Sequence, residues 1–463
     1  MIKQLTRTAT PLALALALSG CMSLAPKYER PAAPVAASFP ELAASPATTA
    51  AASSIAWQQF FADARLKQLI ELALANNRDL RVAILNIEQA RAQFQVRRAD
   101  QLPTVGLGAS GSRATESDDS IRTTYSAGLA VSSFELDLFG RVRSLSDAAL
   151  AQFLATEEAR KATHISLVAS VANAYLALLA DDELLDLTQK TLAARNESLK
   201  LVQLKYDNGV VSKLDLQQAL SLVDGARVVL AQQQRQRAQD YNLLTLLVGQ
   251  PVPAAPNGAT LAGTMLAELP AGLPSDLLSV RPDIRAAEQQ LIAANANIGA
   301  ARANFFPRIS LTGSAGSVSS ELSGLFKSGS FGWSFAPQMV LPIFDYGRNS
   351  ATLGSAKAGR DIAVAQYEKS IQTAFREVSD ALAGQATFSE QLAAQRAVAA
   401  AEAERFNLSD LRYRSGAASY LDLLDAQRSL FSAQQAAVQA NLLRLQNQVT
   451  LYRVLGGGWT TVQ

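Results

Sequence analysis

The chain has 463 residues, Lys+Arg 42 against Asp+Glu 40, a formal net charge of +2, and is 49% hydrophobic. A charge this balanced, with Lys and Arg spread along the chain, offers no basic surface for nucleic acid. Mean hydropathy is +0.07, and no apolar run reaches the ~18 residues of a membrane helix, so any crossing of a bilayer is expected from strands.

The first stretch, MIKQLTRTATPLALALALSGC, places Lys3 and Arg7 before an apolar core and a small-residue end. That is the layout of a secretory signal, assigned to residues 1–20, with a core too short to span a membrane. Leu18-Ser19-Gly20-Cys21 resembles the bacterial lipobox, in which cleavage leaves an acylated cysteine first. Cys21 is the single cysteine of the chain, so neither a disulfide nor a thiolate metal site is available. A lone cysteine elsewhere would read as a small buried hydrophobe; here its flanks point to a lipid that anchors without spanning. Met22 is not the Asp that commonly marks retention at the inner membrane, which directs the chain to the outer one. Residues 21–56, rich in Pro, Ala, Ser and Thr, cannot bury much apolar surface and read as an extended tether.

Two similar halves follow, over 57–250 and 281–456, joined by a Pro/Gly-rich linker at 251–280 and closed by a tail at 457–463. Helices are expected at about 62–100 and 283–305, ending before Pro103 and Pro307, which suit the first residue of a strand. Strands are expected at about 103–113, 121–134, 307–318 and 330–341. From Ile121 the odd positions read Ile121, Thr123, Tyr125, Ala127, Leu129, Val131, while the even ones are small or polar. Phe331, Trp333, Phe335 and Met339 alternate with Gly332, Ser334, Ala336 and Gln338 in the same way. Period-two patterning over about ten residues is what a transmembrane barrel strand requires, with Tyr125, Phe331, Trp333 and Phe335 facing lipid; a soluble sandwich would alternate too. Four strands cannot close a barrel, and lipid tolerates no open edge. A membrane role therefore requires several copies to pool their strands.

Proline-free runs over 142–207 and 349–414 come next, each on the order of 100 Å if helical at about 1.5 Å per residue. Their Ala, Gln and small residues suit close helix packing. Return helices are expected at 212–249 and 419–455. Between them the chain writes one turn twice: LKYDNGVVSKLDLQQAL at 204–220 and LRYRSGAASYLDLLDAQ at 411–427. Gly209 and Gly416 stand where a helix ends in a left-handed cap. Ser212 with Asp215, and Ser419 with Asp422, open the next helix in the S-x-x-[DE] pattern. Each stretch is a helical hairpin tip.

The lipobox, the duplicated halves, the ELDLFGR and LPIFDYGR strand-to-helix junctions and the two Tyr-x-x-Gly tips together resemble the TolC-like outer-membrane efflux proteins, in their OprM-like lipoprotein branch. The resemblance covers essentially the whole mature chain. It implies a mainly α fold with a transmembrane β part: duplicated helix-strand-strand-long helix-hairpin-helix halves that assemble, as a homotrimer, into a twelve-stranded β-barrel above a periplasmic α-helical tunnel. It also implies the implied partners and place: a periplasmic adaptor (membrane fusion protein), an inner-membrane resistance-nodulation-division transporter and the lipid of a Gram-negative outer membrane. The function implied is a passive exit duct for solutes, gated at its periplasmic end. In the family an acidic ring narrows that end, and the matching positions are Asp422 and Asp425; Asp422, as third residue of its helix, has capping as a rival role, and Asp425 a solvated helix face. Arg412, Arg414 and Asp215 are candidates for ion pairs that hold the mouth shut, or for ordinary surface pairs. The arginine that the family often carries after the second tip glycine is replaced by Ala417 and Ala418, so no latch is expected there. Adaptor contact is expected at Gly209, Val210, Val211, Gly416, Ala417 and Ala418; a plain tight turn accounts for the same residues.

Catalytic chemistry is not expected. GLGASG at 106–111 is followed by a polar loop instead of the helix N-terminus a dinucleotide site needs. His164 is the single histidine, within a long helix, and reads as a surface residue. No cofactor is expected beyond the lipid on Cys21. Two other readings stay open: a duct for type I protein secretion, and a lipid-anchored coiled-coil scaffold without a pore.

Overall fold

The computed structural model describes residues 23–36, 55–115, 117, 119–253, 260–261, 266 and 278–459. The secretory signal, Cys21 and most of the linker lie outside them. In chain order the elements are α1 (Trp57–Phe60), α2 (Ala64–Asn76), α3 (Arg78–Ala99), β1 (Val105–Thr115), β2 (Ile121–Leu136), α4 (Arg141–Asp207), α5 (Lys213–Val248), α6 (Pro282–Ala303), β3 (Arg308–Ser319), β4 (Phe331–Val340), α7 (Arg348–Arg414) and α8 (Tyr420–Val454). Both halves thus run helix, strand, strand, long helix, turn, helix. The chain divides into two compact units, each drawing on both halves: one of Met1–Ala33, Leu85–Glu158 and Ala286–Ser370, the other of Pro34–Ile84, Ala159–Arg285 and Ile371–Gln463.

The first unit is organised by an antiparallel sheet in the order β1-β2-β3-β4. β1–β2 and β3–β4 are hairpins, but the central β2–β3 pairing joins the two halves of the sequence. Register decides what each face carries. Leu107 pairs with Leu129, Leu129 with Ala315 and Ala315 with Trp333, and directly opposed residues point the same way. One face therefore gathers Val105, Leu107, Tyr125, Leu129, Val131, Ile309, Leu311, Phe331, Trp333, Phe335 and Met339. The other gathers glycine, serine and threonine, with Ser110 bonded to Ser126 and Ser314 to Ser334, each at 2.8 Å. A bulge after Val131, with Ser133 at φ 56, inserts one residue and returns Phe134 and Leu136 to the apolar face. On the small-residue face Gly128 lies opposite Gly316.

In the same unit residues 23–33 are extended but held. Asn295 donates to the Pro26 carbonyl at 2.7 Å and Arg302 to that of Leu24 at 3.0 Å. Glu288, 7% exposed, accepts both arms of Arg30 at 2.7 Å and the Tyr28 hydroxyl at 3.0 Å. A buried carboxylate is tolerable when paired in this way, and the pairing pushes the Tyr28 hydroxyl up, with burial as the larger cause. The segment is a strap along α6. Glu288→Ala is expected to expose it: limited trypsinolysis should cut after Lys27 several-fold faster, with helical content unchanged. Equal cleavage rates would mean that Glu288 does not hold the strap.

The helical unit is packed around Trp57, Phe60, Phe61, Leu66, Ile70, Leu176, Leu244 and Tyr452, all within one core. Each large apolar side chain contributes roughly 1.5–3 kcal/mol on burial. Tyr452 stacks on Phe60 at 4.0 Å and donates to the Ile55 carbonyl at 2.6 Å. Three sequence readings need correction here. The helix expected over 62–100 is broken: Asn77 is extended at φ −62, ψ 132, and its side chain accepts from Leu80 N and donates to Leu247 O, both at 2.9 Å, so it ends α2 and caps α3. α4 contains an 18-residue window of mean hydropathy 1.5, enough by composition to span a membrane, but 61% of that window is buried. His164 is half-buried beneath Trp459, ring to ring at 5.4 Å, and burial first, then Arg160, pulls its pKa down to about 4. It stays neutral and supports packing.

Candidate functional site

The two tips belong to the helical unit and are built alike. At the first, Gly209 adopts φ 72, its N–H reaches Tyr206 O at 2.9 Å, and Val210 N reaches Lys205 O at 2.8 Å. At the second, Gly416 adopts φ 78, with Gly416 N to Tyr413 O at 3.1 Å and Ala417 N to Arg412 O at 2.8 Å. This satisfies the last helical carbonyls through a left-handed residue that glycine alone adopts without strain. Capping boxes follow. Ser212 Oγ accepts from Asp215 N at 3.2 Å and Asp215 Oδ2 accepts from Ser212 N at 3.0 Å. The equivalent bonds of Ser419 and Asp422 measure 3.3 and 3.2 Å.

Asp422 and Asp425 are both exposed on the first turns of α8, three residues apart and so on one face. Their partners differ. Asp422 Oδ2 is occupied by Ser419, backbone and hydroxyl, whereas Asp425 meets Arg405 of α7 at 3.1 Å. Arg414 pairs with Asp410 of its own helix at 2.7 Å, Asp215 serves its cap, and Arg412 forms no ion pair among the described residues. Of the tip residues, Gly209, Val210, Gly416 and Ala417 are exposed and Ala418 is half-buried. Val211 turns inward onto a core of Val202, Leu216, Leu222, Tyr413, Tyr420, Leu423 and Leu424, which fuses the two hairpins. Lys205 adds a cation–π contact over Tyr413 at 4.2 Å, and burial pushes the Tyr413 and Tyr420 hydroxyls up.

Sequence reasoning passed over four leucines. Leu204 and Leu214 at the first tip, and Leu411 and Leu421 at the second, are 58–65% exposed. They occupy equivalent positions of the repeat, and that equivalence was the available signal. With Val210 added at the first, they make each tip an apolar knob.

The sheet supplies the second candidate surface. Phe331 and Trp333 are each 74% exposed and Phe335 61%; Tyr125 shares their face but is half-covered. Both outer strands, β1 and β4, have one edge unpaired among the described residues. Where β2 hands over to α4, Glu135 accepts both arms of Arg141 at 2.7 Å. This bidentate pair locks the ELDLFGR junction.

Sequence comparison places these features among known proteins. A family model described as outer membrane efflux protein matches residues 69–250 and 273–457, once on each half. The chain is 50% identical to the probable efflux pump outer membrane protein TtgC of Pseudomonas putida, over 98% of this chain and 96% of that one. It is 47% identical to the outer membrane protein OprJ of Pseudomonas aeruginosa, over 97% and 95%. Among solved structures, the open state of the Neisseria gonorrhoeae MtrE outer membrane channel superposes with a TM-score of 0.87 at 42% identity, covering 95% of this chain and 99% of that one. Repeat, sheet, tips and likeness over nearly the full length agree, and the chain belongs to the outer membrane efflux protein family.

Proposed function

We propose that this outer-membrane protein is the exit duct of a tripartite efflux system, a homotrimer that pools its strands into one barrel. The observation that carries the reading is the sheet: four strands, one face that carries the large apolar side chains, one face of mostly small or polar residues, and outer edges unpaired among the described residues. Such a sheet is insoluble in lipid until its edges meet other copies. The apolar face then meets hydrocarbon and the small-residue face lines the lumen. A pore-free scaffold has no use for Trp333 and Phe335 in the open. The efflux-pump relatives favour solutes over secreted proteins as cargo. Cys21 carries the lipid, and the strap beginning at Ser23 leads from it onto α6.

The chain supplies no energy in this reading; it is passive, and the inner-membrane transporter drives export through an adaptor. The exposed leucines and Val210 of the tips are the apolar contact for that adaptor, with Gly209, Gly416 and Ala417 allowing close approach. Asp422 and Asp425, repeated around the axis, form the periplasmic gate ring. Native mass spectrometry of the full-length protein in lipid tests the assembly. The expected species is three subunits, each starting at acylated Cys21, and the same preparation should show discrete ion conductance in planar bilayers. A folded single subunit embedded in lipid, or a trimer without conductance, would overturn the reading.

A further inference from the structure

Where the sheet meets the long helices, the first unit contains a cleft of about 600 Å³. Two of its lining residues, Glu135 and Arg308, belong to the small-residue face, Glu135 pairing with Ser310 and Arg308 with Val340 in its register. Its apolar lining includes Phe139 stacked on Phe306 at 4.7 Å and Phe344, 84% exposed. Its charged lining comprises Arg141, Arg308, Arg348, Glu135, Asp137 and Asp345.

Counting charges makes the cleft neutral, but the groups are not equally free. Glu135 is taken up by Arg141 in the bidentate pair. Asp137 accepts Arg143 N at 2.7 Å, and Asp345 accepts Gly347 N at 3.0 Å and Asn349 N at 2.9 Å. Both aspartates thereby sit at the N-termini of α4 and α7, where they offset the helix dipoles. Arg308 reaches Glu135 only at 3.5 Å, on the oxygen Arg141 already holds, and Arg348 forms no ion pair among the described residues. Two guanidinium groups therefore remain available beside a phenylalanine wall.

We propose that this cleft is a lumenal binding site for small aromatic carboxylates. A guanidinium fork matches a carboxylate in two parallel hydrogen bonds, the Phe139–Phe306 stack receives the ring, and the volume falls in the ~300–1,000 Å³ range of small-molecule sites. The inference rests on the duct reading, which makes the small-residue face the lumen. It adds a station for anionic solutes to a duct whose proposed acidic ring disfavours them.

The test uses the full-length protein in lipid nanodiscs and isothermal titration with salicylate and with salicylamide, its uncharged isostere. Salicylate is expected to bind about tenfold tighter than salicylamide, with Arg308→Gln and Arg348→Gln each weakening salicylate about fivefold and leaving salicylamide unmoved. Equal affinity for the two ligands in the unaltered protein, or salicylate affinity unaffected by both variants, overturns the proposal; the first comparison stands even if a variant fails to assemble. Bilayer conductance of the same preparations is scored separately. A conducting channel that ignores salicylate defeats the site alone, whereas salicylate binding without conductance defeats the duct.

Discussion

Gly128→Ala and Gly316→Ala should each abolish the proposed trimer in outer membranes, whereas Gly108→Ala should leave it intact. The two glycines face one another across the β2–β3 pairing. A Cβ on Gly128 would lie 2.4 Å from Ala315 O and 2.5 Å from Gly316 Cα; a Cβ on Gly316 would lie 2.3 Å from Ala127 O and 2.5 Å from Gly128 Cα. Every clashing atom is backbone, so relief requires the strands to part. Forcing a methyl into a packed site ordinarily costs about 1–3 kcal/mol. Here the shift would also break the pairing that joins the two halves, so the effect should exceed that range. Gly108, in the neighbouring hairpin, has nothing within 4 Å of the same added atom. Heat-stable oligomer on unboiled gels, scored against total protein, reads the outcome. If Gly128→Ala assembles like the parent chain, close strand approach is not what these glycines provide.

That glycine pair shows where the sequence stops being legible. Alternation along each strand is a local property, so Leu129 and Trp333 could be assigned to an apolar face from spacing alone. The partner of Gly128 lies far along the chain, and only the register reveals that two unremarkable glycines must touch. Caps behave like strands: Ser212 with Asp215 and Ser419 with Asp422 announce themselves because capping involves residues three apart. Asn77 escaped because its role depends on Leu247 of another helix as much as on Leu80. Glu288 likewise gives no hint in PDIRAAEQQ that it holds Arg30. Arg405 was missed for the same reason: its acid lies across a hairpin, on α8. Local chemistry was readable; pairings set by packing were not.

Non-local partners also distinguish the two carboxylates of the proposed gate ring. Asp422 and Asp425 look alike in sequence, yet their free charge differs. One oxygen of Asp422 is engaged in the cap of α8, so Asp422→Ala should mainly weaken the tip, by about 0.5–2 kcal/mol. Asp425 is 66% exposed and faces Arg405, itself 44% exposed, at 3.1 Å. A pair so open to solvent is worth under about 1 kcal/mol, too little to lock a gate, but enough to offset part of the negative potential of each carboxylate. Removing either partner should therefore move the ring in opposite directions. In single-channel recordings with a trivalent cation added from the periplasmic side, Asp425→Ala should weaken block about tenfold and raise conductance. Arg405→Ala should strengthen block, because in the proposed ring it leaves the carboxylates uncompensated. Asp422→Ala alone should change block less than Asp425→Ala. If both Asp425→Ala and Arg405→Ala leave block and conductance unchanged, the constriction lies away from α8. The leucine-bearing tips would then be left with adaptor contact as their role, and the acidic ring with none.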